Sequence, residues 1–175
     1  VMGYSKFNGH PFSFSGIING INKRYFKKKA NWPFIFNYLI KNQKKTIFQK
    51  MKVTHVWTQN SSLSKIIAKS CLIDNVCSNP KKMLDEVDAL IIARDDWKSH
   101  FKLSISFLKK NIPTLIDKPL TLSRSELTKF KPYLKKGILM SCSGLRFSSK
   151  INKAKREIKK IGELKLVKAE VINDL

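Results

Sequence analysis

The sequence predicts an α/β protein with a doubly wound parallel sheet, followed by the start of a second structural unit. Short apolar runs alternate with amphipathic stretches along most of the 175 residues, which is the βα order of a parallel sheet with helices on both faces. One of these runs, DALIIA at 88–93, is almost wholly apolar, as expected of a strand buried on both faces. The pattern changes after residue 147, which predicts domains at 1–147 and 148–175.

The predicted strands are short and rich in β-branched and aromatic residues. They comprise 1–3, 53–58, 88–93, 113–117, 137–143 and 163–172. The first resembles the truncated tail of a strand, and the last resembles a strand that opens a new structural unit. We therefore expect the chain to be a fragment of a longer protein.

The predicted helices carry apolar residues three and four positions apart. They comprise 8–26, 32–42, 61–72, 97–111, 123–136 and 149–162. Pro11 and Pro33 suit the first turns of the first two helices, and Ser61 or Ser62 suits the N-cap of the third. In the helix at 123–136, Ser123 and the glutamate three residues later form a capping box, and the internal Pro132 should kink or shorten the helix. The last of these helices should end at a glycine.

The net charge of +23 invites a nucleic-acid interpretation. However, 30 of the 35 basic residues are lysines scattered over nearly every segment, and only 5 are arginines, the usual readers of phosphates and guanines. We therefore predict a solvated basic surface, and keep a basic nucleic-acid binder as the weaker alternative.

The three cysteines, Cys71, Cys77 and Cys142, have no metal-ligand spacing and make an odd count. They suit reduced thiols in the cytoplasm, and no metal site is predicted. No apolar run approaches the roughly 20 residues of a membrane span, and the first residues lack the basic leader of a signal peptide.

Ligands of doubly wound sheets bind beyond the carboxyl ends of the strands, so the loops at these ends are candidate sites. Gly3 and Gly9 bracket the first loop, and a helix begins near Pro11. Glycines before a helix start suit an anionic diphosphate, although the spacing is not G-x-G-x-x-G, and an ordinary glycine-containing connection stays open. His10, which precedes a proline, suits a structural role.

The second loop carries Thr58, Gln59 and Asn60. An acid here would bind the ribose hydroxyls of a dinucleotide; its absence leaves a 2′-phosphorylated ribose open, as well as a plain polar loop. In the third loop, Arg94 either pairs with a following aspartate at the surface or lines a cofactor cleft. His100 follows on the next helix and suits a structural or a cofactor-lining role.

The fourth loop follows the strand at 113–117 and carries Asp117, Lys118 and Pro119. Lys118 should point into the cleft, where a cationic amine could polarise a substrate hydroxyl or carbonyl or move a proton. The acid beside it should keep the amine charged and oriented, and the proline should fix the backbone. The alternative is a strand end followed by a surface turn.

Several stretches together resemble the Gfo/Idh/MocA family, which includes glucose-fructose oxidoreductase and inositol dehydrogenase. The DKP at 117–119 is similar to the Glu-Lys-Pro signature of that family, with Asp in place of Glu. The other similar stretches are GHPFSFSGIINGIN, VTHVWTQN, VDALIIARDDWKSH and GLRFSSKINKAKREIKKIGELKLVKAEV. The resemblance implies a Rossmann domain that binds NAD or NADP and an α+β domain with a large open sheet.

The resemblance also implies residue roles. Lys118 takes the place of the signature lysine near substrate and nicotinamide, and Asp117 the place of the signature acid, so these two are the predicted catalytic residues. The predicted cofactor-binding residues are Gly3, Asn8, Gly9, His10, Pro11, Thr58, Gln59, Asn60, Arg94, Asp95, His100, Lys118 and Arg146.

We therefore expect the nucleotide-binding half of a cytoplasmic NAD(P)-dependent oxidoreductase that transfers hydride at a sugar or polyol carbon. The usual catalytic histidine of the family lies in the second domain, so the fragment alone should not turn over. Homo-oligomers are expected through that second domain. A non-catalytic Rossmann-type binding or regulatory module is the alternative.

Overall fold

A computed structural model describes residues 1–46, 50–163, 165, 166 and 168 of the chain. Contacts within the chain divide it into two compact units, Val1–Cys142 and Ser143–Leu175. The domain division at 147 and 148 stays a prediction. The predicted strand at 163–172 falls mostly on residues outside the described part.

The elements alternate as the pattern of apolar residues predicts. The helices are α1 His10–Asn19, α2 Lys23–Lys29, α3 Pro33–Thr46, α4 Ser61–Ser70, α5 Trp97–Lys109, α6 Arg124–Lys135 and α7 Ser149–Ile161. The strands are β1 His55–Val56, β2 Asn75–Val76, β3 Leu90–Ile92, β4 Thr114–Ile116 and β5 Leu139–Met140. Short 3-10 helices occupy Pro80–Met83 and Gly144–Phe147, and the latter lies with α7 in the second unit.

All paired strands run parallel, and Met2 joins two sheets into one. β1 pairs with β2, and β4 lies between β3 and β5. Met2 bridges to Trp57, just after β1, and to Ile92 of β3. The Gly3 amide donates to the Trp57 carbonyl at 2.8 Å, and the Ala93 amide donates to the Met2 carbonyl at 2.9 Å. The order is therefore β2, β1, Met2, β3, β4, β5, which puts the first extended segment at the point where the strand order reverses.

The apolar side chains form two clusters because successive residues of a strand face opposite sides of the sheet. Val1 belongs to one cluster and Met2 to the other. Helices α1 to α4 supply the first cluster with Phe12, Ile18, Phe26, Leu39 and Ile67. Helices α5 and α6 supply the second with Phe107, Leu108 and Phe130. Helices thus cover both faces, and the predicted doubly wound α/β class is confirmed.

Some local predictions were wrong. The helix predicted at 8–26 is two helices, because Gly20 adopts φ +81 after α1 and the Asn22 side chain then caps α2. Strand β2 was missed, since both of its residues are exposed and carry no apolar pattern. Helix α4 is capped by Asn60, whose Oδ1 accepts from the Leu63 amide at 3.1 Å, and not by a serine.

The capping box at α6 is only half formed. Ser123 Oγ accepts from the Glu126 amide at 3.4 Å, but the Glu126 carboxylate accepts instead from the Thr121 hydroxyl at 2.7 Å. Pro132 does not end the helix, which continues to Lys135. Helix α7 ends at Gly162 with φ +93, as predicted.

Candidate functional site

The turn at residues 3–9 follows Met2 at the reversal of strand order and leads into α1. Gly3 has φ +84, a conformation that favours glycine. A Cβ on Gly3 would lie 2.5 Å from Cδ of Arg94, so the missing side chain lets Arg94 pass directly over the turn. The turn is therefore packed against the loop that follows β3.

Gly9 allows the start of α1 to pack closely against α3, because it has no side chain. A Cβ at this position would lie 2.3 Å from Cδ1 of Ile35 and 3.0 Å from ring atoms of Trp32. Pro11 occupies the first turn of α1 and is buried. The first turn contains no acidic residue, and the His10 amide donates to Oδ1 of Asn8 at 2.8 Å.

The turn is hydrogen-bonded to the carboxyl ends of the strands beside it. Gln59, after β1, donates from its side-chain amide to the Tyr4 carbonyl. Ser5 donates its hydroxyl to the Asp95 carboxylate, after β3, and accepts from the Asp95 amide at 3.1 Å. Sequence reasoning did not select Ser5, for which the only available signal was its position in the turn.

Thr58 and Asn60 hold the start of α4. The buried Thr58 donates its hydroxyl to the Asn60 carbonyl at 2.7 Å, and its amide donates to Ser64 Oγ at 2.8 Å. Gln59 and Asn60 are both exposed, and Gln59 is the one whose side chain contacts the turn. Cofactor binding by the three residues stays a prediction.

Arg94 is mostly buried, with 14% of its side chain exposed, and pairs with Asp96. Its Nε is buried and has no hydrogen-bond partner among the described residues. Burial by itself raises the pKa of Asp96, but hydrogen bonds from the hydroxyl and amide of Ser99 and the charge of Arg94 outweigh it. The pKa of Asp96 therefore lies below its ordinary value. Asp96 is therefore ionised and orients the guanidinium across Gly3.

His100 is fully buried on α5. Its ring nitrogens face two backbone carbonyls, that of Arg94 at 2.7 Å and that of Leu120 at 3.0 Å. His100 therefore joins the loop after β3 to the loop after β4. Any effect of this residue on a cofactor would act through those loops, since the ring is not accessible.

Asp117 links the end of β4 to the turn. Its carboxylate accepts from the Asn8 side-chain amide at 3.0 Å, from the Lys118 backbone amide at 2.8 Å and from the His10 ring at Nδ1. Burial by itself raises the pKa of Asp117, but the hydrogen bonds from His10 and Asn8 and the charge of His10 outweigh it and hold the pKa below its ordinary value. The acid is thus a carboxylate that holds the turn.

Lys118 is exposed beside this carboxylate, and the peptide bond to Pro119 is cis. The contacts of Asp117 reach the backbone of Lys118, whereas the Lys118 amine makes no hydrogen bond or ion pair within residues 1–46 and 50–163. The amine is accordingly available to a ligand. Arg146 lies in the 3-10 helix of the second unit, where it is exposed, and its role stays a prediction.

The residues of this edge fit the predicted dinucleotide. The unpartnered Arg94 Nε is a buried donor that a phosphate or ribose oxygen would satisfy. The first turn of α1 has no acidic residue of its own, although the Asp117 carboxylate contacts His10 there, and the helix directs the positive end of its dipole toward an anion at the turn. Among the described residues, no group of three His, Cys, Asp or Glu side chains could hold a metal ion, and no helix is long and apolar enough to cross a membrane.

Comparison with solved structures gives the same fold. The chain is similar to myo-inositol 2-dehydrogenase from Lactobacillus plantarum, with a TM-score of 0.57 and 20% identity over 64% of this chain and 34% of that one. It is also similar to apo scyllo-inositol dehydrogenase from Lactobacillus casei, with a TM-score of 0.62 and 15% identity over 93% of this chain and 42% of that one. The chain therefore spans less than half the length of these relatives. No significant match was found among curated proteins.

A family model described as "Oxidoreductase family, NAD-binding Rossmann fold" matches residues 34–140, which is more than half of the chain. The match includes the strands β1 to β5 and the DKP segment, and it confirms the prediction of NAD or NADP as the cofactor. The chain belongs to the Gfo/Idh/MocA oxidoreductase family.

Proposed function

We propose that the chain is the nucleotide-binding domain of an NAD(P)-dependent dehydrogenase that oxidises a hydroxyl of a sugar or polyol. One observation carries the proposal. The exposed, unengaged amine of Lys118 follows a carboxylate that is hydrogen-bonded to the glycine turn, so a cation and the predicted dinucleotide turn share one edge of the sheet.

The residues of this edge have separable roles in the proposed reaction. Arg94 and the start of α1 bind the diphosphate, and Gln59 faces the adenosine ribose. Lys118 donates a hydrogen bond to the reacting hydroxyl oxygen and stabilises the negative charge that develops there. Asp117 orients the turn that carries Lys118. The dinucleotide, when bound, would supply the hydride acceptor for the carbon that bears the hydroxyl.

The substrate class is supported by the chemistry of the two similar solved structures. Both are inositol dehydrogenases by name, and inositol is a cyclic polyol. A polyol carries no charge, and the Lys118 amine needs no charged group on the substrate, because it can donate a hydrogen bond to a hydroxyl oxygen. The three free cysteines fit the proposed reducing, cytoplasmic location, and the proposed second domain beginning at 148 is where a homo-oligomer would form.

The test begins with titration of NADH and of NADPH into the purified chain, and the fluorescence of the nicotinamide reports binding. We expect saturable binding by at least one of them. In the full-length protein, Lys118→Ala should keep the cofactor Kd within about threefold and lower kcat for polyol oxidation by about 10²–10⁴. Lys109→Ala, at an exposed lysine on α5, is the matched control and should change neither quantity.

Two outcomes would contradict the proposal. If the chain binds neither NADH nor NADPH, the proposed nucleotide-binding function is wrong. Turnover by Lys118→Ala equal to that of Lys109→Ala would remove the role of the signature lysine. Cofactor binding without turnover on any sugar or polyol would favour the alternative of a non-catalytic binding module.

A further inference from the structure

The helical layer formed by α1 to α4 carries no acidic residue. The first aspartate or glutamate of the chain is Asp74, so residues 1–73 contain thirteen lysines and arginines and no countercharge of their own. All four helices lie within these residues, and they cover one face of the sheet. Among the side chains described there, the only lysine in an ion pair is Lys52, which lies 2.6 Å from Asp74. Lysines that are scattered along the sequence are thus collected on one acid-free side of the fold.

The positive charge of this layer is densest on α2. Five of the seven residues of α2 are exposed cations: Lys23, Arg24, Lys27, Lys28 and Lys29. Helix α4 packs against α2 and brings Nζ of Lys69 to 5.9 Å from the ring centroid of Tyr25. None of the five cations makes an ion pair with a residue in the described part of the chain. Unpaired cations at this density attract a polyanion, because each phosphate that they neutralise releases a counterion from the polymer.

Helix α3 adds exposed aromatic rings beside these cations. Phe34 is 83% exposed and Tyr38 is 47% exposed. They lie four residues apart and therefore on one side of α3, and the exposed Lys41 follows on that side one turn later. Phe36 contacts Phe26 of α2, with the ring centroids 5.9 Å apart. Phe26 and Phe36 thus pack α2 against α3, while Phe34 and Tyr38 leave much of their surface to solvent.

A groove lies between α2 and the start of α3, with a volume of about 330 Å³. Its lining includes the aromatic residues Phe26, Trp32 and Phe36, the cation Lys27, and the amides Asn31 and Asn37. A side-chain amide can both donate and accept hydrogen bonds, and an aromatic side chain offers a flat apolar face. A nucleobase has the matching chemistry, because it is a flat ring with hydrogen-bonding edges. Lys27 belongs both to this groove and to the row of cations on α2.

We propose that α2 and α3 form a binding surface for single-stranded nucleic acid. The α2–α3 surface comprises the five cations of α2, the groove, and the exposed Phe34, Tyr38 and Lys41. The cations bind the phosphates of the strand, and the rings of Phe34 and Tyr38 stack with its bases. Binding depends little on sequence, because lysine acts on phosphate as a point charge. The inference goes beyond the proposed dehydrogenase function and uses none of the residues assigned to cofactor or substrate.

The exposed rings favour a single strand over other polyanions. In a duplex the bases stack on one another, so Phe34 and Tyr38 would have no free base to contact. Binding to an anionic membrane needs a continuous apolar helix face, whereas Asn37 and Lys41 lie beside the two rings. An acidic peptide matches the charge but does not present a flat ring at each residue. A single strand matches both the charge and the rings.

A first test measures binding and its salt dependence, without cofactor or polyol. Fluorescein-labelled poly(U) and poly(dT) of about 20 nucleotides are titrated with the purified chain, and fluorescence anisotropy gives Kd between about 50 and 200 mM KCl. We expect saturable binding of both strands. The logarithm of the association constant should fall with the logarithm of the salt concentration with a slope of about −3.5, which is about −0.7 for each cation of α2. Absence of binding to both strands would overturn the proposal.

A second test separates the α2–α3 surface from the general positive charge of the chain. The triple variant Lys27→Gln, Lys28→Gln, Lys29→Gln should make the salt slope less steep by about 2. The matched control removes the same charge from α5 and α6, where Lys102, Lys109 and Lys131 are also exposed, by replacing each with Gln. It should change the slope by less than about 0.5. Equal changes in the two triple variants would overturn the proposal, since net charge alone would then explain binding.

A third test addresses stacking. Phe34→Ala should weaken binding of poly(U) by about five- to hundredfold and leave the salt slope unchanged, because it removes a ring and no charge. Phe147→Ala, at an exposed phenylalanine of the second unit, is the matched control and should leave Kd unchanged. Equal Kd values for Phe34→Ala and the wild type would contradict the proposal. So would a duplex bound as tightly as poly(U), or binding to phosphatidylserine vesicles without binding to poly(U).

Discussion

The carboxylate of Asp117 lies 3.0 Å from the side-chain amide of Asn8, although the two residues are 109 positions apart. The bond joins the carboxyl end of β4 to the turn that leads into α1. Because His10 contacts the same carboxylate, one buried acid holds Asn8 of the turn and the first residue of α1. Loss of this acid should therefore affect the stability of the turn as well as chemistry at the strand end.

Replacement of Asp117 by Asn should lower the free energy of unfolding by about 2 kcal/mol at neutral pH, because hydrogen bonds to a buried charge are lost. The pKa of Asp117 lies below its ordinary value in the folded chain. The contribution of the carboxylate is thus complete above about pH 5 and is lost as pH falls through the lowered folded pKa. Urea denaturation at pH 5 and at pH 2.5 measures it.

The difference in stability between the wild type and Asp117→Asn should accordingly be smaller at pH 2.5 than at pH 5. Asp88→Asn is the control, since Asp88 is exposed and has no hydrogen bond or ion pair with the described residues. It should change stability by less than about 0.5 kcal/mol at either pH. An Asp117 difference that does not vary with pH would contradict the assigned pKa direction.

Replacement of Gly9 by Ala should destabilise the chain by about 1–3 kcal/mol through overpacking. The added Cβ would lie 2.3 Å from Cδ1 of Ile35, an atom that Ile35→Val removes. The double variant should therefore be more stable than the sum of the single effects predicts, which a double-mutant cycle by urea denaturation measures. Gly144→Ala, where a Cβ meets nothing within 4 Å, is the control. Strict additivity would contradict the packing explanation.

Replacement of Gln59 by Glu should move the preference between cofactors toward NADH by about tenfold or more. A carboxylate accepts hydrogen bonds from both ribose hydroxyls and repels a 2′-phosphate. Fluorescence titration with NADH and NADPH gives the ratio of Kd values. Gln59→Ala also removes the bond to the Tyr4 carbonyl and is the matched control. An equal change of the ratio in both variants would show that the lost bond, and not the added charge, causes it.

Most of the elements could be predicted from the sequence, because apolar periodicity reports which face of a segment is buried. The run at 88–93 contains β3, and the spacing of apolar residues in 97–111 predicted α5 closely. The misses have local causes. Gly20 with φ +81 divides the first predicted helix, and β2 pairs through its backbone while its side chains stay exposed, so neither has an apolar signature.

The candidate site divides in the same way. The strand ends and the DKP segment predicted that one edge of the sheet carries Gly3, Gln59, Arg94 and Asp117. The reason is that the carboxyl ends of parallel strands meet at the same edge. The sequence could not show that Asp117 contacts His10 and not the amine of its neighbour Lys118. It allowed a structural role for both His10 and His100, and it could not show that His100 alone of the two has both ring nitrogens bonded to carbonyls while His10 keeps a free nitrogen.

By itself, the sequence determined most of the order of strands and helices, apart from β2 and the division of the first helix, together with the parallel sheet and the loops that carry polar residues, because these follow from local periodicity and from the chemistry of single residues. The tertiary structure decided which side chains contact each other across those loops. Such contacts depend on the register of strands far apart in the chain and on the space left by packing at Gly3 and Gly9, and neither quantity is encoded in any short segment.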